Sequence, residues 1–311
     1  MIHSPLLPWI AFNAVVLVAL AIDLGLGSSN TKLSVREAAV RSAVWVLLAL
    51  LFAAGIFWFQ GQRAGTEFIT GYLVEYSLSV DNIFVMVLIF SYFDVKEEYQ
   101  HRVLFWGILG ALVMRGLMIA AGAALFSRFA WITYLFGVFL IVTGIRMAAS
   151  GDKHVDPAGN PVLKLIRRII PVCDTYDGQS FFIRQADTSG VNRNMATPLF
   201  VVLVLIETMD LVFAVDSIPA VFAVTKVPFL VYTSNVAAIL GLRSLYFLLA
   251  GAVGQLRYLT VGLAVILVFV GAKMLAAGWY EIPTLASLGV IVAILAVAAA
   301  ASLYVDGRKQ A

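Results

Sequence analysis

The chain has 311 residues, 62% of them hydrophobic and only 13% charged, with a mean hydropathy of +0.96, which is too apolar for a water-soluble domain of this size. Its net charge of +3 arises from Lys and Arg placed mainly between apolar stretches, which is a membrane-topology pattern rather than a nucleic-acid-binding surface. A lone cysteine, Cys173, excludes a disulfide framework, and His3, His101 and His154 all fall outside the predicted helices, leaving no imidazole for a midplane site.

Nine stretches are long enough to cross about 30 Å of hydrocarbon. In chain order they cover roughly residues 6–26, 42–59, 68–93, 103–127, 129–149, 197–224, 228–250, 257–277 and 283–305. The fold class is therefore all-α, a polytopic membrane protein. The first stretch lacks a basic leader and an evident small-residue cleavage site, so it reads as a retained anchor. Between the fifth and sixth stretches lies the one sizeable polar segment, 150–196. There Leu163, Ile166 and Ile170 recur at helical spacing among Lys164, Arg167 and Arg168, predicting a short basic helix on the membrane surface. Phe181 and Ile183 then alternate ahead of Asp187-Thr188-Ser189-Gly190, predicting a small hairpin.

Fifteen of the 21 Lys and Arg fall in the odd-numbered gaps, at the helix ends bordering them or in the C-terminal tail, four at the opposite side, and Arg115 and Arg243 well within helices. Basic residues mark the loops kept in the cytoplasm, so the N-terminus is expected outside and the C-terminus inside the cell (inner) membrane.

An internal repeat aligns Asp81-Asn82-Ile83 with Asp216-Ser217-Ile218, then Gly110 and Arg115 with Gly241 and Arg243. The predicted organisation is two N-terminal helices in 1–60, a first three-helix repeat in 67–149, the loop 150–196, a second repeat in 197–278 and a last helix with a short tail in 282–311. Three helices per copy reverse the entry side of the second copy. Inverted repeats place ion sites near the midplane between the copies.

Five carboxylates sit in apolar surroundings: Glu75, Asp81, Glu207, Asp210 and Asp216. Each costs about 2.5–3.5 kcal/mol or more to insert, so the set requires a compensating role. Arg115 and Arg243 balance two of them, as charge-compensating or gating residues, and pairing alone leaves about three negatives over. A divalent cation held by these acids, Asn82 and backbone carbonyls would offset most of that surplus, with protons replacing it on return. Such a site is hard and oxygen-rich, favouring Mn²⁺, Ca²⁺ or Mg²⁺ over Zn²⁺ or Cu⁺. Met209 beside Asp210 leans toward Mn²⁺, although membrane methionines usually serve packing. At 100° per residue Glu207 and Asp210 share a face while Asp216 lies about 120° from Asp210. Pro219 removes a backbone bond to Val215, predicting a kink or unwound turn that would bring Asp216 inward.

Three alternatives stand beside transport. The acids and arginines can form a purely structural ion network. Asp81 and Asp216 can be set as an intramembrane aspartyl protease pair, although both follow Val rather than the Tyr or Gly contexts of such dyads. A scaffold acting through the basic loop would not need the midplane acids.

The pattern Glu75 through Asp81-Asn82, the run Glu207-Thr208-Met209-Asp210 through Asp216-Ser217-Ile218-Pro219-Ala220, and Thr233-Ser234-Asn235 through Arg243-Ser244-Leu245-Tyr246 resemble the TerC family of integral membrane proteins. Asn160-Pro161 through Phe181-Phe182 is similar to its longer, Alx-type members. The resemblance covers about residues 8–305. It implies metal-ion homeostasis, with Alx-like members associated with manganese export and the family name drawn from tellurium resistance. It also implies that Glu75, Asp81 and Asp216, then Asp210 and Glu207, are ion-pathway residues. Tellurite would be repelled by such a path. The family includes members implicated in metal loading of secreted enzymes and in membrane-protein assembly. The expectations are a non-enzymatic divalent-cation transporter with no permanent cofactor, its partners being the cation, protons and the bilayer, and no nucleic acid.

Overall fold

In the computed structural model, residues 6–26, 34–129, 131–150, 166, 168–173, 175–186, 192–250, 257–276, 279–280 and 282–310 are described. The chain is a helical membrane bundle: α1 (Leu7–Leu26), α2 (Val35–Tyr92), α3 (Glu97–Arg128), α4 (Ile132–Ser150), α5 (Pro198–Val224), α6 (Pro228–Leu240), α7 (Leu242–Leu249), α8 (Arg257–Ala276) and α9 (Thr284–Gln310). Among the described residues five helical segments are long and apolar enough to span a bilayer: Val35–Ser79, Glu97–Phe126, Ile132–Ala149, Pro198–Val224 and Thr284–Ser302. Leu7–Ile22, Pro228–Leu240 and Val261–Ala276 are shorter apolar helices.

Helix starts follow local chemistry. Ser34 caps α2 with a reciprocal box: its hydroxyl accepts from the Glu37 N–H at 3.2 Å while Glu37 Oε2 accepts from the Ser34 N–H at 2.9 Å. This moves the helix start seven residues ahead of position 42, because a polar first turn needs only a cap. Pro198 and Pro228 open α5 and α6, where a missing N–H costs nothing.

α2 is 58 residues long but not one rod. Gly61 leaves helical geometry at φ 88°, ψ 174°, a conformation open to glycine, and the chain doubles back there. Phe52 and Phe68 meet edge to face with centroids 5.3 Å apart, whereas sixteen residues of straight helix would separate them by about 24 Å. The loop expected over 60–67 is thus a one-residue turn, and Arg63 and Glu67 lie inside the second arm of α2.

Two further expectations are corrected. The stretch 228–250 divides at Gly241 into α6 and α7, because a glycine weakens the ladder and Gly241 packs at the Trp45 side chain. α5 runs without interruption through Pro219, so the predicted unwound turn is absent. Its flanking residues Ser217, Ile218, Ala220 and Val221 are all buried, and that packing holds the helix in register despite the lost bond.

Large aliphatic side chains such as Ile10, Leu51, Leu117, Val138, Val212 and Val297 point outward, whereas the interior carries Glu75, Arg115, Asn235 and several hydroxyls. That inversion is expected of a bundle solvated by lipid. Exposed Trp58, Phe59, Trp131, Trp279 and Tyr280 sit at turns on the Gly61 side, as an interfacial aromatic belt does.

α4 and α8 cross in close contact through glycines. A Cβ on Gly271 would lie 2.6 Å from the Gly137 carbonyl oxygen, and one on Gly144 would lie 2.7 Å from the Ala264 carbonyl oxygen. Both neighbours are backbone and cannot swing away. Gly271→Leu is therefore expected to destabilise the fold by about 1–3 kcal/mol or more, read as a lower denaturant midpoint in detergent, while Gly289→Ala, which meets nothing within 4 Å, should be near neutral.

At the end opposite Gly61, strands β1 (Phe182–Ala186) and β2 (Asn192–Ala196) pair antiparallel with Phe182 opposite Ala196. This is the hairpin expected from the alternation, with its turn outside the described residues. Of the short basic helix expected at 163–170, Ile166, Arg168 and Ile169 are helical, and Leu163, Lys164 and Arg167 lie outside the described residues. The segment is docked by Tyr176, whose hydroxyl donates to the Phe93 carbonyl at 2.6 Å. Burial, with Asp94 nearby, pushes this phenol up to about 12, so it stays a donor at neutral pH.

Candidate cation site

Glu75, Ser79 and Asn82 are spaced i, i+4 and i+7 along the second arm of α2, so they share one face. On α5 the same spacing aligns Asp210, Ala214 and Ser217. All six residues are buried. The side chain joining the two helices comes from a third, α3, and it is Arg115.

Arg115 is 1% exposed. Its Nε and Nη2 donate to Asp210 Oδ2 and Oδ1 at 3.0 and 2.7 Å, a bidentate fork. Its Nη1 donates to Glu75 Oε1 and, at 3.3 Å, to Asn235 Oδ1 on α6. Four helices therefore converge on one guanidinium. Glu75 and Asp210, which are 135 positions apart, meet through it.

Several polar atoms along these packed helices have no hydrogen-bond partner among the described residues: Glu75 Oε2, Ser79 Oγ, Asn82 Oδ1, Glu207 Oε2, Ser217 Oγ and Asn235 Nδ2. A buried oxygen without a partner costs about 1–3 kcal/mol, so a group of five, on the facing helices, is unusual for a purely structural centre. Arg115 supplies one positive charge against Glu75 and Asp210, leaving an excess of oxygen donors suited to a hard cation.

The remaining expected site residues are placed differently. Glu207, half-buried on α5, lies over Gly110 of α3: a Cβ there would collide with Glu207 Oε1. Gly110 thus makes the room that this carboxylate occupies. Asp216 faces away from Asp210, as straight-helix geometry requires, and accepts at 3.4 Å from the Thr143 hydroxyl of α4. Asp81 lies on α2, with its side chain outside the described residues. Among the described residues no three His, Cys, Asp or Glu side chains already stand as a metal cage.

Arg243 at the start of α7 is 5% exposed and places Nη2 3.1 Å from His101 Nδ1. A guanidinium only donates, so His101 Nδ1 accepts. His101 was expected in a loop; it lies in the first turns of α3, which begins earlier than hydropathy indicates because Glu97 and Glu98 favour a helix N-terminus. A cavity of 10 Å³, no more than about one water, separates this pair from the centre and is lined by Met86, Gly107, Ile206, Asp210 and Arg243.

Local sequence pattern does not reveal two contributors: Asn235 is visible only as part of the family-like segment, and Thr143 carries no motif.

These features define a polytopic membrane protein with a buried arginine–carboxylate centre. The chain belongs to the TerC family: the family described as "Integral membrane protein TerC family" matches residues 60–310. Among its relatives, "Uncharacterized membrane protein STKORF319" of Myxococcus xanthus is 49% identical over 296 residues, covering 95% of this chain and 91% of that protein. "Putative membrane-bound redox modulator Alx" of Escherichia coli (strain K12) is 45% identical over 317 residues, covering 99% and 97%. The protein of the same name from Photorhabdus laumondii is 44% identical over 318 residues, covering 99% and 98%. No solved structure matches the chain.

Proposed function

We propose that the protein is not an enzyme but a transporter of divalent cations, exporting Mn²⁺ across the inner membrane in exchange for protons. The observation that carries this reading is the capture of two buried carboxylates from distant parts of the chain by one buried guanidinium. Arg115 stands where an incoming cation would be balanced. The conformation is arginine-locked, and its 10 Å³ cavity has no space for a hydrated ion.

Transport then requires Arg115 to leave Glu75 and Asp210, after which the cation takes over their charge with Asn82, Ser79 and Asn235 as neutral oxygen donors. Protonation of the acids, or return of Arg115, resets the centre without leaving bare charges in the membrane. Glu207, over Gly110, supplies a further carboxylate beside the path, and Asp81 and Asp216 serve the approaches to it. Arg243 holds the neighbouring end of the path through His101. The distribution of Lys and Arg puts the N-terminus outside and the C-terminus in the cytoplasm.

The name of the Escherichia coli and Photorhabdus laumondii relatives refers to redox modulation. This chain has a single cysteine, so a dithiol cycle would need a second thiol from elsewhere. A cation flux that changes the availability of a redox-active metal reaches the same description without one.

The test is uptake into proteoliposomes of purified protein, comparing Mn²⁺, Ca²⁺, Mg²⁺ and Zn²⁺ with an internal pH indicator. Mn²⁺ movement with opposing proton movement is expected. Absence of flux for all four ions, from protein that remains folded, refutes transport.

A further inference from the structure

Glu67 lies two helical turns from Glu75 on α2, about 12 Å along the axis and about 80° round it, with Gly71 between them. It is 6% exposed. Its Oε1 accepts from Arg63 Nε at 2.9 Å and its Oε2 accepts from the Thr225 hydroxyl at 2.6 Å. Thr225 in turn accepts from the Val227 N–H at 3.2 Å, so its own proton is committed to Glu67. Both carboxyl oxygens thus act as acceptors.

The pairing repeats the central one on a smaller scale: a buried carboxylate on the same helix, held by an arginine. The difference is access. The Arg63 side chain is 89% exposed, at the Gly61 end of the bundle. Between the two carboxylates, α2 touches α6 where a Cβ on Gly71 would lie 2.9 Å from Ser234 Oγ. Ser234 precedes Asn235, which contacts Arg115. Glu67, Ser234, Asn235 and Glu75 thus follow one another from the Gly61 end toward Arg115, close-packed in this conformation.

We propose that Glu67 is a second carboxylate station for the divalent cation, at the mouth of the path on the Gly61 side, with Arg63 as the tethered positive group that the ion displaces. The proposal rests on the transport reading for the identity of the ion. Arg63, whose side chain is exposed, can move into water once the cation takes over the charge of Glu67. Arg115 has no such exit. The station would exchange ions with water readily and hand them inward to the locked centre.

The experiment is chemical labelling rather than flux. Ser234→Cys is placed in a Cys173→Ser background, and the rates of reaction with a cationic and a neutral methanethiosulfonate of similar size are compared in proteoliposomes. The ratio of the two rates is expected to be about tenfold higher with Glu67 present than in Glu67→Gln, the scale of one charge-assisted contact. Arg63→Gln should raise it further. Thr225→Val, which removes one hydroxyl and keeps the charge, should leave it nearly unchanged. An equal ratio with and without Glu67, or no reaction of Ser234→Cys with either reagent in any of these proteins, overturns the proposal. A station that passes this test while no metal is transported would refute the transport reading alone.

Discussion

Replacing Arg115 by alanine is expected to lower stability by about 3–5 kcal/mol in metal-free detergent solution, the scale of breaking a buried ion pair from one side. The loss comes from what remains. Glu75 and Asp210 keep their places on α2 and α5, buried to 1% and 5% exposure, without the guanidinium that satisfied both. Arg115→Lys should recover part of the loss, because an ammonium supplies the charge but cannot fork onto both oxygens of Asp210. A saturating divalent cation should recover more in Arg115→Ala than it adds to the native protein, since the ion then binds without first displacing arginine. Denaturant midpoints with and without Mn²⁺ measure both effects. Equal sensitivity to Mn²⁺ in the two proteins would show that the ion and the guanidinium do not share a place.

The second large effect separates two aspartates that look equivalent in the sequence. Asp210→Asn is expected to weaken Mn²⁺ binding by about 10- to 100-fold, the range seen when a group supporting a bound metal is lost. Asp216→Asn should leave equilibrium affinity within about twofold, because distant sites without shared partners act independently, while slowing flux. Asp210 is part of the Arg115 centre, and Asp216 bonds Thr143 on α4 instead. Binding isotherms and initial flux rates on the same preparations make the comparison. If Asp216→Asn abolishes binding as Asp210→Asn does, the helix must unwind near Pro219 during the cycle and bring both acids to one ion.

The apolar helices were legible because lipid demands a long continuous signal, and the acids and arginines stood out against it. Their pairing was legible in part. Two arginines among five acids announced compensation, and 100° per residue already set Asp216 apart from Asp210. The mistakes came from where local signals are weak. Hydropathy could not show that Gly61 turns the chain within a single residue, and so left Glu67 in a loop. A proline in a sequence marks a lost hydrogen bond, but only packing decides whether the helix opens, and at Pro219 the buried neighbours keep it closed. The break lay instead at Gly241, a position with no such conspicuous signal. Asn235 and Thr143 could not be found from local pattern, because their roles depend on which helices meet.

The most direct test of the central claim is a Mn²⁺ titration of three proteins: native, Arg115→Ala, and Arg115→Ala combined with Asp210→Asn. Tighter binding in Arg115→Ala than in the native protein, by about tenfold or more, and its loss in the double variant would place the ion where the guanidinium sits. The same affinity in all three proteins, or none in any, would contradict it.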